Sequence, residues 1–151
     1  MEGSAMILQV LGAFVVGIAG SIILNAPKKV LPYAAMVSAT GWFAYLNFER
    51  VLSISMSTFY AGLFIALFSH LVARIVKVPV TLFLVTGFLP LVPGAGMYAL
   101  VFAFIQGDLV QANLAFRLVL EVAGMIALSI FVVDSIFRIL FRPSSGEFTK
   151  P

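Results

Sequence analysis

Cysteine is absent from the 151 residues. That excludes disulfides, thiol chemistry and any Cys-based metal site, and it leaves the redox compartment unreadable. Charge is scarce as well: Asp, Glu, Lys and Arg make up 10% of the chain, where a soluble domain carries about a quarter. Histidine occurs once, at His70, so scattered serines have no base-and-acid set to activate them. Metal ligands do not cluster, and no Walker motif offers a route to ATP hydrolysis. Enzyme activity has no support, and no cofactor is expected. Nucleic acid is no better a partner. The net charge is +3, but the nine Lys and Arg residues sit at segment ends and form no basic stripe.

What the chain has in plenty is apolar length. It is 62% hydrophobic, with several runs near or beyond the roughly 18 residues that mark a membrane span. The expected fold is an all-α integral membrane protein, one helical domain over residues 1–142 with a short cytoplasmic tail at 143–151. Met1-Glu2-Gly3-Ser4 carries an acid where a signal peptide carries Lys or Arg, so the first run reads as a retained span. Five spans are expected, at about 5–24, 30–48, 53–76, 79–106 and 114–141. No internal repeat is visible.

In the first span Ala13, Gly17 and Ser21 recur every four residues, widened by Gly20. Such a small-residue stripe lets another helix approach closely, although membrane helices are rich in small residues in any case. Pro27 is placed to open the second helix. That helix is marginal in length and holds Pro32, Ser38, Thr40 and Gly41. Tyr33 at one end, with Trp42 and Tyr45 at the other, fits two interfacial aromatic belts. Ser53, Ser55, Ser57 and Thr58 bring hydroxyls to the start of the third segment, to cap it or to line an entrance.

The fourth segment contains Leu89-Pro90-Leu91-Val92-Pro93-Gly94-Ala95-Gly96-Met97-Tyr98. As an unbroken helix residues 79–106 would exceed about 40 Å, more than a hydrocarbon core requires. Each proline removes a donor and clashes with the carbonyl four residues back, here those of Thr86 and Leu89. A break at Pro90–Gly94 persists in a membrane only where protein encloses it or it lines a cavity. A helix restarting at Gly94 presents its first-turn amides and a positive dipole end, and glycines at 94 and 96 admit a ligand to the backbone. A carboxylate is the natural guest at the amides of Gly94 to Met97, with Tyr98 nearby. The competing reading is a kinked helix healed by neighbours and water.

Intramembrane ionisable residues are functional candidates. Glu121, one turn after Arg117, is either a neutralised i,i+4 pair or a coupling group. Asp134 and Arg138 read as a structural i,i+4 pair. His70, one turn before Arg74, is either a proton relay or a polar anchor. Asp108 reads as a solvated loop residue.

Loop charge gives the orientation. With five spans, Lys28, Lys29, Arg74, Lys77, Arg138, Arg142 and Lys150 share one side and Arg50 and Arg117 the other, seven against two. Without the second span the split is four against five, with no orientation signal. The rule therefore favours five spans, N-terminus outside and C-terminus cytoplasmic, with the restarted half-helix near mid-membrane and its positive end toward the cytoplasm.

Asn25-Ala26-Pro27, Gly41-Trp42 with Tyr45, Ala73-Arg74 with Lys77 and Pro79, and above all Pro90-Leu91-Val92-Pro93-Gly94 with Tyr98 resemble the threonine/serine exporter family. The match is to the small subunit of its split, two-component form, and it covers nearly the whole chain. The resemblance implies a bacterial or archaeal cytoplasmic-membrane protein working with a larger membrane subunit, as a secondary transporter driven by ion gradients. It also implies carboxylate-bearing substrates, threonine and serine or a dicarboxylate such as succinate. No established coupling residue maps onto this chain.

The expected function is thus a component of a secondary exporter for small carboxylate-bearing metabolites. Pro90, Pro93, Gly94, Ala95, Gly96, Met97 and Tyr98 form the expected substrate site, with Glu121 and His70 as candidate coupling groups. The expected partners are the larger subunit, the bilayer, the substrate and a possible second copy of the chain. The alternatives are a non-transporting assembly subunit and a homo-oligomeric channel.

Overall fold

A computed structural model describes residues 2–140. The expected end of the fifth segment at Phe141, together with Arg142 and the tail at 143–151, lies outside the described residues. All regular structure among the described residues is helical. Six helices follow in order: α1 (Glu2–Ile23), α2 (Leu31–Phe48), α3 (Ile54–Val76), α4 (Val80–Phe88), α5 (Gly94–Gln106) and α6 (Leu109–Leu140). Short 3-10 turns, Lys28–Val30 and Leu89–Leu91, lead into α2 and out of α4.

Three helices are long and apolar enough to cross a membrane, within Gly3–Ile23, Ile54–Val76 and Leu109–Leu140, and the bent pair Val80–Leu91 with Gly94–Gln106 makes up to four. This corrects the expectation of five. The helix that falls short is α2, 18 residues interrupted by Pro32, Ser38, Thr40, Gly41 and Asn47. Its position accounts for its composition. It packs against α1, α3 and α4, and Ala34, Ala35 and Ser38 are completely buried. The face of a helix that packs on other helices needs small residues for close approach more than it needs large apolar ones.

The α1 stripe packs on this helix. Ala13, Gly17 and Ser21 are buried, and a Cβ placed on Gly17 would stand 2.8 Å from the Ala35 Cα and 2.9 Å from the Ala34 carbonyl oxygen. The Ser38 hydroxyl donates to the Ala13 carbonyl across the same contact, at 2.9 Å. On the far side of α2, Ile65 of α3 fills the space that side chains on Gly41 and Gly87 would claim. Gly20 faces Leu89 and Thr86, so α1 also reaches the end of α4.

Local chemistry fixes the boundaries. Pro27 does not open α2; it precedes the 3-10 turn, and Pro32 occupies the first turn of α2 instead. Ser53 caps α3, its Oγ accepting from the Met56 amide at 3.4 Å. Lys77 ends α3 in a left-handed conformation with φ 57°, followed by Pro79, a usual helix stop. Gly107, at φ 75°, closes α5. Asp108 is exposed in the loop, as expected, and it also caps α6: its Oδ1 accepts from the Gln111 amide at 3.0 Å, so α6 begins at Leu109, five residues before the expected 114. From there α5 returns along α6, its main packing partner.

Candidate functional site

The expected break is present. After Phe88 the chain tightens into the 3-10 turn Leu89–Leu91, and α5 restarts at Gly94 with the two axes bent by 53°. Pro93 lies at φ −76°, ψ 57°, the inverse γ-turn geometry, and the turn is closed by the Gly94 amide donating to the Val92 carbonyl at 2.7 Å. The Met97 amide donates to the Pro93 carbonyl at 2.9 Å. Those two bonds narrow the expected four-amide cradle. Among the described residues the amides of Ala95 and Gly96 have no acceptor, and no side chain caps α5.

The break lines a cavity of about 420 Å³. Pro90 to Gly96 form one wall, Trp42 and Tyr45 of α2 with Ile54 and Thr58 of α3 another, and Leu118 and Val122 of α6 the third. Among the described residues no charged side chain lines it. A Cβ on Gly94 would meet nothing within 4 Å, so this glycine opens directly onto free space. A Cβ on Gly96 would stand 3.1 Å from Val119, which sets the approach of α5 to α6. The lining comes from the last turns of α2 and the first turns of α3, and it lies level with the middle of α6 and with the break between α4 and α5.

Two expected site residues are elsewhere. Met97 and Tyr98 do not line the cavity; both are exposed on α5, where Tyr98 stacks on Phe102 with ring centroids 5.9 Å apart. Two aromatic residues expected to be interfacial anchors belong to the cavity instead. Trp42 stacks on Tyr45 at 5.0 Å, and the Tyr45 hydroxyl is held by Glu49 Oε1 at 3.1 Å. The sequence signal for them was their three-residue spacing on a helix too polar to face lipid. Ile54, Leu118 and Val122 carry no such signal. Thr58, expected to cap or to line an entrance, lines the cavity while its hydroxyl donates to the Ile54 carbonyl at 2.8 Å.

The candidate coupling groups have different surroundings. Glu121 accepts from the Ser55 hydroxyl at 2.9 Å and forms no ion pair with Arg117 among the described residues. His70 is about 18 Å along α3 from Thr58 and joins the expected α6 pair. Its Nε2 is 3.6 Å from Asp134 Oδ1, while Arg138 Nε holds Asp134 Oδ2 at 2.7 Å. The His70 ring stacks on Phe137 at 4.3 Å, with the Arg74 guanidinium 5.6 Å from the centre of the same Phe137 ring. A titratable ring, a carboxylate and two guanidinium groups thus meet where α3 crosses α6.

Residues 9–136, most of the chain, match the family model described as Threonine/Serine exporter, ThrE. Neither a curated protein nor a solved structure matches.

Proposed function

The chain belongs to the threonine/serine exporter family, and from that premise we propose that it is the small membrane component of a secondary exporter for carboxylate-bearing metabolites, acting with a larger membrane subunit. The observation that carries this reading is the pair of unbonded amides at Ala95 and Gly96, beside open space at Gly94, in an otherwise uncharged cavity. Backbone donors at a helix start favour an anion. A carboxylate docks there, with Trp42 and Tyr45 covering its apolar part. The cavity holds no cation for a second carboxylate. Its lining holds no anion for the ammonium of threonine or serine either, so the second charge of either substrate class, ammonium or carboxylate, is answered by the partner.

The setting that goes with this reading is the bacterial or archaeal cytoplasmic membrane, crossed by three to four spans. Coupling to a proton gradient falls on His70, which has a carboxylate in reach at Asp134; Glu121, held by a serine hydroxyl, is the second candidate. The charged surroundings of His70 are Arg74 on α3 and, through Asp134, Arg138 on α6.

The test is efflux from substrate-loaded cells expressing this chain, the larger subunit, or both. Efflux requiring both chains, and abolished by Gly94→Phe while the complex still assembles, is the expected result. Unchanged efflux in that variant would leave the chain as an assembly subunit.

A further inference from the structure

We propose that a cleft between the first turns of α1 and the end of α2 binds a small zwitterion, with Glu49 taking its ammonium group and Arg50 its oxyanion. The cleft has a volume of about 400 Å³ and is lined by Ala5, Met6, Gln9, Leu46, Glu49 and Arg50, a size usual for small-molecule sites. It shares no lining residue with the cavity at the break. The two spaces adjoin, because Tyr45 of the cavity wall donates its hydroxyl to Glu49 Oε1.

The helices that carry these polar groups do not explain them. Glu49 stands at the C-terminus of α2, the end where a carboxylate opposes the helix dipole. Its neighbour Arg50 does not neutralise it. Among the described residues the two form no ion pair, and the Arg50 guanidinium donates to the Met6 sulfur at 3.6 Å, a weak acceptor. Gln9 is the only amide side chain of α1, two turns into a helix otherwise fit to cross a membrane, and it too has no side-chain partner among the described residues.

A carboxylate, a guanidinium and a carboxamide thus line one cleft, each with unused hydrogen-bonding capacity, and Met6 and Leu46 supply its apolar part. A simple anion would answer Arg50 and leave Glu49 unmatched, and a simple cation would do the reverse. A molecule with an ammonium group and an oxyanion a few bonds apart answers both, and the carboxamide can serve either. Free α-amino acids have that chemistry, and so does the headgroup of an aminophospholipid. The proposal stands on these side chains and not on the cavity.

Because the chain has no cysteine, Ala5→Cys gives a single thiol at the cleft of the full chain, purified in detergent. Saturating L-threonine should slow its alkylation by N-ethylmaleimide about fivefold, and leave that of Ile105→Cys, exposed on α5, unchanged. Arg50→Gln, Glu49→Gln, threonine methyl ester and N-acetylthreonine should each raise the half-protecting concentration by about fivefold, the worth of an exposed ion pair. In Arg50→Gln the methyl ester and the free acid should protect alike, a pattern that misfolding does not produce. Protection by glycerophosphoethanolamine and not by threonine would keep the zwitterion and make a lipid headgroup its source. Protection by neither, or protection indifferent to both charge variants, would overturn the proposal. Efflux is not the readout, so failure here leaves the cavity reading untouched.

Discussion

α2 and the hairpin of α5 with the first half of α6 sort their residues in opposite ways. α2 is the more polar; Thr40 and Asn47 are exposed, but Ser38 lies inside with Ala34 and Ala35, none of them exposed, while Met36 is 59% and Phe43 48% exposed. α5 is nearly all apolar, yet Ile105 is 79% exposed and its only buried residue is Ala103. In water the hydrophobic effect would reverse this arrangement. Where the surroundings are hydrocarbon, leucine gains little by leaving the surface, and close packing of small residues with interhelical hydrogen bonds decides what lies inside. The difference between the two regions shows that this fold is held by fit and not by apolarity.

Placing the same phenylalanine in both settings would test this most severely. At Gly17 the ring meets the Ala34 and Ala35 backbone, and the variant should lose more than about 3 kcal/mol, or fail to fold, in a detergent melt. At Gly94 it enters free space, so the melt should barely move while efflux falls by about a hundredfold. A collapse of both variants would mean that the cavity wall is structural.

His70→Gln tests the polar contact between α3 and α6. Export should lose its dependence on the pH gradient, while the glutamine preserves the helix contact; a retained gradient response would move coupling to Glu121. A smaller effect is expected for Ser38→Ala, which removes the 2.9 Å bond to the Ala13 carbonyl. It should cost about 0.6 kcal/mol, the average for an interhelical bond in a membrane protein. A loss several times larger would show that α1 and α2 depend on that bond and not on the glycine contact. Smallest of all, Ile105→Ala on the lipid-facing side should change stability by less than about 0.5 kcal/mol, read from the same melt.

Much of this was legible beforehand. The small-residue stripe of α1, the break after Phe88 and the Asp134–Arg138 pair all follow from local spacing, and local spacing survives folding. The cavity was legible on one wall only. Pro90 to Gly96 announce themselves through proline and glycine, whereas Leu118 and Val122 look like any other lipid-facing residues until α6 is laid beside α5. Tyr98 lies off the cavity because adjacency in sequence to Gly96 says nothing about which face of a restarted helix a side chain occupies.

The sequence alone determined the helical membrane character, the place of the break and the family likeness, since composition, proline geometry and a local motif need no tertiary partner. Only the tertiary structure decided that α2 is a sheltered helix, that two of the four amides at the break are already used, and that His70 meets Asp134. Each of these depends on which helix faces which. That is a long-range outcome of close packing, and nothing local along the chain encodes it.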